Sequence, residues 1–208
     1  MIYDISPPIT PRLAVWPGDT PPSREVLLEL SRGDSVTLST LHATVHLGAH
    51  ADAPSHYGTA APDIASRPLE RYLGPCEVVR VSVARGARVT TTLLPRPVRA
   101  PRVLLATGTF PDPERFNDDF AALAPELIDQ LHAAGVTLIG IDTPSVDLFA
   151  SKDLAAHQRC LAHDIAILEG LVLARVPEGI YELVALPLPL AGFDASPVRA
   201  VLRVLQSP

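Results

Sequence analysis

The segment His46-Leu47-Gly48-Ala49-His50-Ala51-Asp52-Ala53-Pro54-Ser55-His56 gathers three of the chain's seven histidines and an aspartate among small or apolar residues. It reads H-x-G-A-H-x-D-x-P-x-H. Imidazole and carboxylate are the usual ligands of zinc and related divalent ions, so this density of donors points to a metal site. In an extended chain side chains alternate between faces, which puts His46, His50 and Asp52 on one side. A straight strand would also set His46 roughly 20 Å from Asp52, while ligand bonds are about 2 Å long. The chain must therefore curl. Gly48 permits the backbone angles of a curl, Ala49 does not obstruct it, and Pro54 fixes the backbone ahead of His56. The competing reading, a strand end with scattered surface histidines, gives no reason for a glycine at the turn.

These groups need a scaffold. Ser35 to His46 alternates, with Leu41, Ala43 and Val45 on one face and His42, Thr44 and His46 on the other, so the metal segment is expected to hang from the end of a strand. His42 lies about 13 Å from His46 along such a strand, which suits a structural or supporting role. Further strands are expected over Ile2–Ser6, Arg24–Leu30, Cys76–Val83, Val103–Thr107, Val136–Ile141 and Tyr181–Leu186. Helices are expected over Pro68–Leu73, ended by Gly74, over Ala124–Ala134, from a Ser151 cap to about His163, and over Val198–Leu205 behind Ser196 and Pro197. Phe110 to Phe120 reads as a loop. Strands and helices alternate only in part, so the expected class is α/β: one mixed-sheet domain over residues 1–208.

A two-metal site needs donors beyond this segment, and the later candidates are His157, His163 and Glu169. Glu169 stands inside the aliphatic run Ile165 to Leu173. A carboxylate there is either exposed on one strand face or buried with a partner, because burying it alone is costly. His157 and Glu169 are about 18 Å apart along a continuous helix, whereas paired metals sit about 3.5–4 Å apart. If both bind, the helix must end between them, near His163. Spacing does not separate His163 from His157. Asp142, at a strand end, suits a site or an Asx-turn equally. Trp16, the chain's single tryptophan, sits in the turn Trp16-Pro17-Gly18-Asp19. It reads either as packing or as an aromatic wall for a ring-bearing substrate.

Bulk composition narrows the class. The 208 residues are 47% apolar and 5% aromatic, with a net charge of −6. The absence of a basic cluster argues against nucleic acid or an anionic membrane as partner. No apolar run approaches the roughly 20 residues of a membrane helix. The N-terminus lacks signal-peptide features, and two isolated cysteines make neither a disulfide framework nor a cysteine metal site, so a reduced cytoplasm is expected. The 22 prolines are dispersed, as in an irregular domain with many rigid turns.

The opening pattern resembles the signature H-x-G-[TA]-H-x-D-x-P-x-H of the metal-dependent cyclase-like hydrolases, a family that includes the bacterial kynurenine formamidases (arylformamidases). The likeness to the formamidases extends to D-I-S-P-P at Asp4–Pro8, V-W-P-G-D at Val15–Asp19, Y-L-G-P-C at Tyr72–Cys76, L-I-G-I-D-T-P-S at Leu138–Ser145, A-I-L-E-G at Ala166–Gly170 and D-A-S-P-V-R-A-V-L at Asp194–Leu202. Val83 to Asp118 matches least, with Thr107 where arginine is common. The resemblance implies a swivelling β/β/α fold with a barrel-like core flanked by helices, and a homodimer. It implies two divalent ions, for which zinc best suits the donors, although manganese or iron could occupy the same set. His46, His50 and Asp52 would hold one ion, Asp52, His157 and Glu169 the second. His56 would move protons and Trp16 would line the pocket. The implied reaction is hydrolysis of N-formyl-L-kynurenine. A related enzyme acting on another aryl amide, a cyclic amide or a lactone would share the metal half, and a non-catalytic binding protein would not need His56. No G-x-S-x-G elbow supports a serine route.

Overall fold

The structure, a computed structural model, describes residues 1–205. In chain order these form β1 (Ile2–Asp4), β2 (Ser23–Leu28), β3 (Leu38–His42), β4 (His50–Asp52), β5 (Leu73–Arg80), β6 (Arg88–Val89), β7 (Arg102–Ala106), β8 (Ala122–Leu123), α1 (Pro125–Ala133), β9 (Leu138–Ile141), α2 (Ala155–Ala162), β10 (Ala166–Glu169), β11 (Gly179–Val184), β12 (Ala195–Pro197) and β13 (Val201–Val204). Among the described residues, nine strands make one mixed sheet in the order β1-β13-β11-β5-β7-β9-β10-β4-β12. Its centre, β5-β7-β9-β10, is parallel, and the outer strands join it antiparallel. Central parallel strands are covered on both faces, so Val103-Leu104-Leu105 and Leu138-Ile139 read as continuous aliphatic runs.

One face packs on α1 and α2 through Val79, Val103, Leu105, Ile139 and Ile167. The alternate residues Cys76, Val78, Leu104, Leu138 and Leu168 fill the other face. That second core also takes Ala51 of β4 and Leu202 of β13, from near opposite ends of the strand order. Strands so far apart share a core only if the sheet curls. The result is the expected α/β architecture, a barrel-like sheet flanked by helices. No helix among the described residues is long and apolar enough to cross a membrane.

Four expectations about the scaffold fail, the last of them the Ser151 cap at α2. Val198–Leu205 is not a helix. It runs through β13, paired with β1 and β11. Arg199 and Arg203 are four apart, a spacing that fits one face of a helix and one face of a strand alike. The observed burial of Val198, Ala200 and Leu202 follows period two. Ser196 caps nothing there: its hydroxyl accepts from Leu188 N at 2.8 Å. Pro197 sits in the edge strand β12, where a missing N–H is tolerated. Second, the strand expected to carry the metal segment is only β3. It pairs with β2 in a separate two-stranded ribbon, where His42 is exposed and held by Glu25 at 2.8 Å. The metal segment instead builds a strand of the main sheet, β4. Third, Pro68–Leu73 holds only a single 3-10 turn, Leu69–Arg71. Gly74 belongs to β5, with Arg102 packed where a side chain would go.

Candidate metal centre

Strand register assembles the first donors. His50 and Asp52 lie two apart on β4, and β4 pairs with β10 so that Glu169 stands directly opposite His50. Opposed residues of an antiparallel pair have Cβ atoms about 5 Å apart, so all three carboxylate and imidazole groups converge. The intervening Ala49, Ala51 and Ala53 face the core. Upstream, the chain curls at Gly48 (φ 57°), which brings His46 back over the strand. Gly170 (φ 65°) permits the matching approach from β10: a Cβ there would lie 2.1 Å from the Gly48 carbonyl oxygen.

The second half arrives from the helical face. As the distance argument requires, α2 ends at Ala162 and the chain returns as β10. His157 is buried, with Nε2 3.4 Å from Asp52 Oδ2 and 3.5 Å from Glu169 Oε1. His163 goes elsewhere. Its Nε2 lies 2.7 Å from Asp129, and its ring stacks on His132 at 4.1 Å. The helix does not begin at a Ser151 cap. Its first turn is capped by Asp147, whose carboxylate accepts from the N–H groups of Ala156 and His157 at 3.0–3.1 Å.

Asp147 also sits 2.9 Å from His157 Nδ1, and His50 Nδ1 donates to the Gly48 carbonyl at 2.8 Å. Each bond fixes a tautomer and leaves the ring's Nε2 turned to the carboxylates, the second-layer arrangement that metal-ligating histidines need. His50 Nε2 and both Asp52 oxygens are buried without a hydrogen-bond partner. Such orphans are costly unless a cation satisfies them. His50 Nε2 lies 3.5 Å from Asp52 Oδ1 and 3.3 Å from Glu169 Oε2. Donors about 2.1 Å from a shared tetrahedral ion are about 3.4 Å from one another, so these side chains fit a divalent cation.

The electrostatics agree. Burial opposes the charge on Asp52, yet His157, His46 and His50 hold it well below the usual carboxylate range. Burial likewise opposes a charged His46, but Asp52, 3.1 Å from Nδ1, and Asp194, 3.0 Å from Nε2, raise it to about 9. His157 is raised by Asp147, Asp52 and Glu169 against the same burial. Without metal, protons supply the positive charge this cluster demands.

Two carboxylates that hold these histidines escaped sequence reasoning. Asp147 is pulled to about 2, against burial, by His157, the helix N–H groups and Arg88. Its only signal was its place just past the Leu138–Ser145 motif. Asp194 opens the Asp194–Leu202 motif. Its Oδ2 serves both His46 and, at 3.2 Å, Nδ1 of His56, which lies in a turn just beyond β4. Replacing Asp147 with alanine is expected to weaken zinc binding about 10- to 100-fold, read by calorimetric titration of metal-stripped protein. Unchanged affinity would leave Asp147 as a helix cap alone.

The cluster opens into a cavity of about 740 Å³ lined by His46, His50, His56, His157 and Glu169 at one side and by Trp16, Phe110 and Phe116 at another. Trp16 is 37% exposed and contacts Phe149, Phe116 and Phe120 at ring separations of 5.0, 5.7 and 6.1 Å. It therefore both packs and lines the cavity. The Phe110–Phe120 loop, most of which lies in the least-matching segment Val83 to Asp118, supplies Phe110 and Phe116 to this aromatic wall. Asp142 lines the cavity but is occupied by Thr107 N, Thr107 Oγ1 and Gly108 N at 2.7–2.9 Å.

Solved structures share the whole fold. A potential metal-dependent hydrolase with cyclase activity superposes with a TM-score of 0.84 at 27% identity, covering 97% of this chain and 96% of that one. A predicted metal-dependent hydrolase from Bacillus stearothermophilus gives a TM-score of 0.81 at 27% identity, with 97% of each chain covered. An isatin hydrolase bound to the product analogue thioisatinate gives 0.84 over 99% of this chain and 92% of that one. At 18% identity it speaks for the fold alone. The family model for Cyclase matches residues 3–148, well over half of the 208 residues and including the entire His46–His56 segment, so the chain belongs to the Cyclase family.

Proposed function

We propose that the protein is a metal-dependent amidohydrolase that converts N-formyl-L-kynurenine and water to L-kynurenine and formate. The observation that carries this reading is the buried, partnerless donor set of His50 and Asp52 opening into an aromatic-walled cavity. His46, His50, Asp52, His157 and Glu169 would hold two divalent ions, with Asp52 placed between both halves, and zinc is the ion we favour for these donors. Bound there, such an ion supplies Lewis acidity, polarising a carbonyl and lowering the pKa of water to about 7.

The chain's own groups do the rest. Trp16 and the phenylalanines seat the aryl ring beside the donors. His56 donates Nδ1–H to Asp194, which leaves Nε2 free to accept the proton of the attacking water. Water oxygen bonds to the formyl carbon, the C–N bond breaks, and His56 returns the proton to the leaving arylamine nitrogen. A cyclic aryl amide would suit the same flat-walled cavity. Formate release from N-formylkynurenine, run beside ring opening of isatin and of a lactone, separates the two. Faster ring opening than formate release would transfer the assignment to cyclic amides or lactones.

We also propose that the protein works as a homodimer. A two-stranded ribbon is marginal alone in water, and β2–β3 exposes Leu27, Leu38 and Leu41. A second copy covering this ribbon would bury them. Light scattering should give twice the chain mass, and a monomer would remove the proposal.

A further inference from the structure

We propose that Arg80 binds a carboxylate on the substrate and so restricts the cavity to aryl amides bearing an acid group beyond the ring. The inference rests on the amidohydrolase reading only for the identity of the bond that is cut.

The parallel strands place Arg80. In doubly wound sheets ligands sit in the crevice beyond the carboxyl ends of the strands. Here Arg80 ends β5, Thr107 follows β7, Asp142 follows β9 and Glu169 ends β10. Arg80 pairs with Ala106, Leu105 with Ile141, and Gly140 with Leu168. Arg80 and Glu169 thus emerge at the same rim of the sheet, three strands or about 14 Å apart, and both line the cavity. Of all its lining residues Arg80 alone is a lysine or arginine.

Its guanidinium is fixed but not neutralised. Nη2 donates to the carbonyls of Leu173, Ala174 and Val176 at 3.3, 3.1 and 2.7 Å. Among the described residues no carboxylate forms an ion pair with it, and Nε and Nη1 have no hydrogen-bond partner. Glu178 is engaged at the main-chain N–H of Arg80 instead. The other carboxylates on the cavity wall do not supply the missing charge: Asp142 is occupied by the turn after β7, and Asp19 accepts from Thr20 N. A held cation with free donors on an apolar wall fits an anionic group of the ligand.

The reach is right. Leu173, whose carbonyl Arg80 holds, lies four residues beyond Glu169, a span of at most about 13 Å. The formyl carbon and α-carboxylate of N-formylkynurenine are seven bonds apart, roughly 8 Å when extended. A hydrogen bond of about 3 Å brings the total to about 11 Å.

The test compares N-formyl-L-kynurenine with N-(2-acetylphenyl)formamide, which keeps the ring and the scissile bond but lacks the acid. Arg80→Ala should raise KM for the first about 10- to 100-fold while kcat/KM for the second stays within about twofold, and Arg80→Lys should recover part of the loss. Equal damage to both substrates would overturn the proposal and make Arg80 a support for the Leu173–Val176 loop. If the wild type releases formate from neither compound, the amidohydrolase reading fails by itself. Calorimetry then decides Arg80: L-kynurenine should bind the wild type at least tenfold more tightly than Arg80→Ala, with 2-aminoacetophenone indifferent. Equal or undetectable binding of L-kynurenine to both proteins overturns it.

Discussion

Replacing Asp52 with asparagine is expected to empty both halves of the metal centre and to lower kcat/KM by about three orders of magnitude. Lewis-acid stabilisation is worth several kcal/mol, and each 1.36 kcal/mol is about tenfold in rate. Asp52 is the residue that would join the two halves. Its Oδ1 faces His46 at 3.1 Å and His50 at 3.5 Å, and its Oδ2 faces His157 at 3.4 Å. Asparagine keeps the volume but removes the charge and turns one acceptor into a donor aimed at the histidines. Elemental analysis and formate release read the two losses. Full metal content with full activity would disprove the assigned donor set.

The same substitution should show in the metal-stripped protein. His46 is raised to about 9 from an ordinary value near 6.5. The stability this supplies is complete below pH 6.5 and is lost as pH rises toward 9. Asp52 is depressed, so its contribution is present above its ordinary range and is lost as pH falls through the folded value. In the Asp52→Asn variant the first loss should shrink, because only Asp194 and Glu169 remain to hold the His46 proton. The melting temperature of the stripped variant should therefore vary less between pH 6.5 and 9 than that of the stripped wild type. An undiminished slope would mean that Asp52 does not hold the proton.

How much of this was legible in the sequence follows from how far each interaction reaches along the chain. The donors His46, His50 and Asp52 were legible because their convergence is local: a period of two and one glycine decide it. That α2 must stop before Glu169 was legible because helix rise forbids the alternative. Choosing His157 over His163 was not. Both follow the same spacing, and the difference is made by Asp147 and Asp129, carboxylates that fold in from other segments. Asp194 acts across 148 residues on His46, a relation no local pattern contains. The final strand reads as a helix in the sequence because Ser196-Pro197 has the form of a cap and first turn, and only pairing with β1 and β11 overrides that local signal. The aromatic wall was hidden in a segment that looked like polar loop, since Phe110 and Phe116 join Trp16 on the cavity wall only once the chain is folded.

Removing the His56 imidazole should separate proton transfer from metal binding. His56→Ala is expected to keep the metal content of the wild type and to lower kcat about 10²- to 10⁴-fold, the range for a lost general acid–base. The geometry makes this a sharp test, because His46, Asp52 and His56 each offer an atom within 4.8 Å of the others. Proximity alone would let His56 serve as a ligand. Two observations favour the proton-transfer role. His56 keeps a third of its side chain exposed while Asp52 is fully buried. His50 Nε2 and both Asp52 oxygens, by contrast, are sealed away without hydrogen bonds. A proton carrier needs contact with water and substrate, whereas a ligand is better buried. Added imidazole should restore part of kcat through the space vacated at the cavity mouth. Loss of metal in step with activity, with no rescue by imidazole, would instead make His56 a ligand and leave the proton transfer to another group.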